Sequence, residues 1–223
     1  MMADNNAQAR FNMVEQQIRP WDIFDSRVLN LMEELPREQF VPEEYQHLAF
    51  ADIEIPIGHG QRMMFPRMEA KLLQTLDIQP NDRVLEVGAG SGFLTACLAR
   101  LAGRVVSIDI HADFIEAAVK RLSDLGLRNV QLRTGDVLTT PLDEDGPFDA
   151  IAVTGSLPTS AQVDIFRKQL KPEGRLFAVI GCPPVMQALL ITKISDTSYS
   201  EEPIVETALA PLENTVQPAV FEF

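Results

Sequence analysis

Arg83-Val-Leu-Glu-Val-Gly-Ala-Gly-Ser-Gly-Phe93 carries a short apolar run into three glycines and then into a helical pattern. A strand apolar on both faces, a tight turn and a helix N-terminus form the opening unit of a parallel sheet covered by helices. Gly88, Gly90 and Gly92 let the backbone reverse sharply and approach a ligand closely. Their spacing is GxGxG, not the GxGxxG of dinucleotide binding, and Phe93 stands where that fingerprint's last glycine would be. No Gly-Lys-Ser/Thr follows, so a P-loop is excluded as well.

Downstream, β-rich runs at 105–108, 129–132, 149–153 and 175–180 alternate with helical stretches near 92–102, 112–125 and 160–170. This alternation predicts an α/β fold with a doubly wound, mostly parallel sheet. Beyond it, Ala188 to Ile194, Ile204 to Leu209 and Ala219 to Phe223 read as strands with no helix between them, which predicts an antiparallel C-terminal edge. Upstream, Met68, Leu72, Leu73 and Leu76 recur at helical spacing until Pro80. Pro42, Pro56, Gly58 and Gly60 punctuate a long shaped loop from Phe40 to Pro66. Asp25 caps a helix from Ser26 to Leu35, with Val28, Leu29, Met32 and Leu35 on its apolar face and Pro36 as its stop. The expected layout is a loose tail over 1–12, a helical extension with a substrate loop over 13–80, and a core over 81–223, all in one compact domain.

The 223 residues are 46% hydrophobic and 23% charged, as a single globular core requires. A net charge of −13 repels a phosphate backbone, so no nucleic-acid partner is expected. The N-terminus lacks the pattern of a secretory signal, and no stretch is apolar enough to span a bilayer, so no membrane partner is expected either. Cys97 and Cys182 lack CxxC spacing and read as reduced thiols of a cytoplasmic protein. His47, His59 and His111 stand alone in sequence, and no metal site is expected.

The ligand is read from charge. Asp109 ends the second strand, where a carboxylate can accept hydrogen bonds from a ribose diol. Glu86 precedes the first glycine and adds a second negative charge, which suits a cationic ligand. S-adenosylmethionine, with its sulfonium and ammonium, fits that pattern. Gly135-Asp136-Val137 follows the third strand and offers a carboxylate to an adenine amine.

Glu86 to Gly92, Asp109 and Gly135-Asp136 together resemble the class I S-adenosylmethionine-dependent methyltransferases. Phe50-Ala-Asp-Ile-Glu-Ile-Pro-Ile-Gly-His-Gly-Gln61, Pro66, Phe148-Asp-Ala-Ile-Ala-Val-Thr154, Gln169-Leu170 and Pro211-Leu212 are similar to protein-L-isoaspartate O-methyltransferases, from about Asn12 onward. The resemblance implies methyl esterification of isoaspartyl carboxylates in damaged proteins. It implies cofactor contacts from Arg62, Met63, Glu86, Gly88, Gly90, Ser91, Gly92, Asp109, Ile110, Asp136 and Val137. Asp52, Gln61 and Met64 would face the protein or peptide carboxylate, with no residue assigned as a catalytic acid or base.

The family loop reads Gly-Gln-Thr-Ile-Ser-x-Pro, whereas Gly60-Gln-Arg-Met-Met-Phe-Pro66 places Met64 at the Ser and Arg62 at the Thr. A thioether donates no hydrogen bond. Val137 likewise stands where Gly-Asp-Gly is usual, and Gly155-Ser156 where small apolar residues are common. These departures fall on the acceptor side. They keep two alternatives open: a methyltransferase of this fold whose Met63, Met64 and Phe65 form an apolar pocket for another acceptor, a small molecule or a protein side chain, and a cofactor-binding protein without turnover. Trp21 reads as packing for the N-terminal helix rather than as a partner contact.

Overall fold

The computed structural model describes residues 2–139 and 146–216. The chain opens with a helix, α1 (Met2–Met13), prolonged by a π-helical turn at Val14–Ile18 and a 3-10 turn at Arg19–Trp21. The loose tail expected over 1–12 is therefore corrected. Its three Ala and two Met favour a helix although its three Asn do not, and tertiary contacts hold it. Arg10 donates to both carboxylate oxygens of Glu38 at 2.9 and 3.0 Å and lies 5.4 Å over the Phe50 ring. Met13, Val14 and Ile18 are buried.

The next helix, α2 (Ser26–Glu34), starts as expected, with the Asp25 side chain accepting from Arg27 N at 2.8 Å. Short 3-10 turns at Arg37–Phe40 and Glu43–Leu48 lead to a hairpin of β1 (Ile55–Gly58) and β2 (Gln61–Met63). The long loop thus contains a regular element that periodicity could not reveal, because its strands are only four and three residues long. Gly58, His59 and Gly60, with φ of 110°, 51° and 73°, make the reversal. Then α3 (Pro66–Leu76) begins on proline and ends at Asp77 in a left-handed conformation, before Pro80 is reached.

The remaining elements follow the predicted alternation: β3 (Arg83–Val87), α4 (Phe93–Leu101), β4 (Arg104–Asp109), α5 (Ala112–Asp124), β5 (Val130–Thr134), β6 (Phe148–Leu157), α6 (Ser160–Arg167), β7 (Leu170–Cys182), β8 (Val185–Lys193) and β9 (Tyr199–Glu206). Among the described residues seven strands form one sheet in the order β5-β4-β3-β6-β7-β8-β9. The first five positions pair in parallel, and β8 and β9 close the sheet antiparallel. The strand expected at Ala219 to Phe223 lies outside the described residues. β9 ends the sheet among the described residues, and its Glu201, Glu202 and Pro203 are exposed.

Strand periodicity divides the core into two layers. Val84, Val105, Ala150 and Phe177 pack with Phe93, Cys97 and the N-terminal helices, whereas Leu85, Val106, Ile151 and Leu176 pack with Val163 and Phe166 of α6. From β3 the chain runs outward through β4 and β5, then crosses back to enter as β6 on the other side of β3. That reversal opens a crevice beyond the carboxyl ends of the central strands. No helix among the described residues is long and apolar enough to cross a membrane.

Candidate functional site

A cavity of about 400 Å³ occupies this crevice, a volume typical of small-molecule sites. Its floor is the glycine turn. Gly88 N donates to Ile108 O at 2.8 Å, which ties the turn to β4. With φ of 91°, Gly88 adopts a conformation that other residues resist, and a Cβ there would overlap the Thr154 hydroxyl. That hydroxyl donates to the Val87 and Gly88 carbonyls, 2.8 Å from each. The backbone is thereby left bare toward the cavity.

Asp109 is 8% exposed and held by the chain itself. Gly90 N donates to its Oδ2 at 2.8 Å and His111 N to its Oδ1 at 2.9 Å. Each oxygen keeps a further lone pair for a ligand hydroxyl. Asp136, after β5, accepts from Leu138 N and from Asn214 Nδ2, both at 2.9 Å. The segment around Pro211 forms the opposite wall, fastened to β6 by Ser156 N to Ala210 O (2.8 Å) and Leu212 N to Ser156 O (3.0 Å).

The hairpin is the roof. Ile57 rests on the glycine turn so closely that a Cβ on Gly90 would lie 3.1 Å from its Cδ1. Gln61 Nε2 donates to Glu213 Oε1 at 2.9 Å, which joins the hairpin to the far wall. Beside it Met63 and Met64, 4% and 6% exposed, line the cavity with Glu54 and Glu69. Burial raises both carboxyls above their usual range, Glu69 to about 7, although Arg37 pulls that one down. Arg37 is fully buried: it pairs with Glu69, donates to Ala49 O at 3.0 Å and Met64 O at 2.8 Å, and lies 4.7 Å from the centre of the Phe93 ring. One guanidinium thus fixes the backbone that presents Met64.

Of the residues singled out from sequence, Gln61, Arg62, Met63, Met64, Gly88, Gly90, Ser91, Asp109, Ile110, Asp136 and Val137 line this one cavity. Three do not. Glu86 is fully buried beneath the turn, where Thr95 Oγ1 and Ser107 Oγ donate to its Oε2 at 2.5 Å each. Burial pushes its pKa up to about 8, which favours the protonated form at neutral pH. Gly92 caps α4 with φ of 83° and serves packing, since a Cβ there would lie 3.0 Å from Ala118 Cβ. Asp52 turns away to pair with Arg67, whose guanidinium sits between Trp21 (4.5 Å) and Phe65 (4.3 Å). Trp21 accordingly packs within the chain, as expected.

Sequence reasoning missed Glu54, Glu69 and the stacking of His59 on His111. Glu69 carried a faint signal, a charge in line with Met68, Leu72 and Leu73, but its partner Arg37 is 32 residues away. The histidines expected to stand alone are brought together by the fold, ring centroids 3.9 Å apart.

Known proteins share this architecture and much of the sequence. A family model described as Protein-L-isoaspartate(D-aspartate) O-methyltransferase matches residues 8–217. The protein-L-isoaspartate O-methyltransferase of Brucella anthropi is 36% identical over 209 residues, covering 93% of this chain and 94% of the relative. That of Methylorubrum extorquens is 39% identical over 208 residues, covering 93% and 90%. In fold, a Plasmodium falciparum protein described as a possible enzyme of the same kind, in complex with S-adenosyl-L-homocysteine, superposes with a TM-score of 0.80. It is 22% identical, and the match covers 92% of this chain and 99% of that one.

Proposed function

The chain belongs to the protein-L-isoaspartate O-methyltransferase family, and from that membership we propose that it is a cytoplasmic enzyme transferring the methyl group of S-adenosylmethionine to isoaspartyl carboxylates of proteins. One observation carries the reading. The bare glycine turn, Asp109 and Asp136 stand on successive strand ends around a single cavity, and the family's Gly-x-Gly-Gln hairpin covers it.

The residues present fit the cofactor. Asp109, already aimed by two backbone amides, would take the ribose hydroxyls, and Asp136 the adenine amine, with Ile110 and Val137 against the base. Gly88, Gly90 and Ser91 would bring backbone close to the methionine end, with Arg62 and Met63 above it. Bound there, the cofactor supplies a methyl group on a positively charged sulfur. A carboxylate acceptor is ionised at pH 7 and needs no general base. The work of this chain is therefore to position two reactants and exclude water, Gln61 and Met64 facing the acceptor.

A second reading rests on that acceptor wall. Met64 replaces a hydroxyl, and Glu54, for which no ion pair among the described residues offsets the charge as Arg37 does for Glu69, lines the same side, which suits a neutral acceptor better than an anion. The deciding experiment measures transfer from labelled S-adenosylmethionine to an isoaspartyl peptide and to its aspartyl twin. Methylation of the isoaspartyl peptide alone is expected, and Met64→Ser should raise its rate about tenfold by adding a donor that helps place the reacting carboxylate beside the methyl group. Cofactor binding without transfer in either protein would overturn the isoaspartyl reading and leave the changed acceptor and the binder without turnover, which transfer to any other acceptor would tell apart.

A further inference from the structure

The tip of the hairpin meets the start of α5 in a cluster that methyl transfer does not require. The rings of His59 and His111 stack within 12° of parallel, and Phe114 sets its edge against both, with centroids 5.2 and 5.3 Å away. His59 Nε2 lies 2.9 Å from Asp113 Oδ2. His111 Nε2 lies 2.7 Å from Glu213 Oε1, the oxygen that also accepts from Gln61. His59, His111 and Asp113 each offer a ligand atom within 4.8 Å of the others.

We propose that His59, His111 and Asp113 form a binding site for a divalent transition-metal ion, zinc in the first instance. Two imidazoles and one carboxylate are a donor set suited to zinc and its neighbours, not to calcium or magnesium, which prefer oxygen alone. The supporting shell is present. Glu213 holds the His111 ring, and Gln61 holds Glu213, the arrangement that orients metal-bound histidines. Bonds of about 2.0–2.2 Å require the ligand atoms to close up by roughly 1 Å and one ring to leave the stack, since lone pairs in parallel planes do not converge. His59 is the ring free to turn, its side chain 42% exposed at the hairpin tip.

The three ligands come from the roof and from the rim of the cavity, so a bound ion fastens the hairpin down. The site rests on this cluster alone and stands whatever the acceptor is. Its consequence is regulatory: zinc slows exchange of whatever the cavity holds.

The test titrates untagged protein with zinc chloride by calorimetry, and with cobalt chloride followed by visible absorption. One ion per chain is expected, with cobalt giving the intense bands of a low-coordinate site. His59→Ala and Asp113→Asn should each lose binding at least tenfold while keeping the wild-type melting temperature, and His47→Ala should bind like wild type. Zinc should also slow release of S-adenosylhomocysteine at least tenfold in wild type and not in His59→Ala. Absence of zinc binding at millimolar ion, or equal binding by wild type, His59→Ala and Asp113→Asn, overturns the proposal.

Discussion

Glu86 shows how a single side chain can be plain in the sequence while its state is not. Its position ahead of the glycine turn is legible, but the hydroxyls that receive it belong to Thr95 and Ser107, 9 and 21 residues on, and nothing local announces them. Burial dominates its titration and the two hydroxyls only partly oppose it, so its pKa rises from 4.5 to about 8. Between those values the native chain keeps a proton that the unfolded chain has released. Stability therefore falls as pH rises across that window, and the loss is complete above about 8. Glu86→Gln copies the protonated form and does not titrate. The melting temperature of wild type is expected to drop more than that of Glu86→Gln between about pH 5 and about pH 9. Parallel curves would contradict a buried neutral carboxyl.

At the scale of elements, the strands and helices from β3 to β8 were readable because their periodicity is carried within each segment. The hairpin, the Arg37–Glu69 pair and the histidine stack were not, because each depends on residues far apart: His59 meets Asp113 across 54 positions. Only the fold brings them together. The Arg37–Glu69 pair locks α3 to the turn before the hairpin, and its worth can be measured. Arg37→Met leaves Glu69 buried without a counter-charge and should cost about 3–5 kcal/mol in urea unfolding. Adding Glu69→Met should recover most of that loss, because two apolar side chains need no counter-charge. Equal destabilisation by the single and double changes would mean that Arg37 acts through its carbonyl contacts at Ala49 and Met64 instead.

The whole molecule carries −13 at neutral pH, and the proposed acceptor is itself an anion. Encounter between like charges is slowed, and salt relieves it within a Debye length of about 8 Å at physiological ionic strength. For an acidic isoaspartyl peptide kcat/KM should rise with added salt, and for a basic one it should fall; the same slope for both would remove the net field from the account. The sheet's outer border has its own effect on how copies of the chain meet. An unpaired strand is a template on which another chain can extend the sheet. Here β9 presents Glu202, which repels its counterpart on a second copy, and Pro203, which withholds a backbone donor, while Glu201 is paired with Arg167. Edge-to-edge growth into aggregates is thereby disfavoured at the strand that, among the described residues, ends the antiparallel side of the sheet.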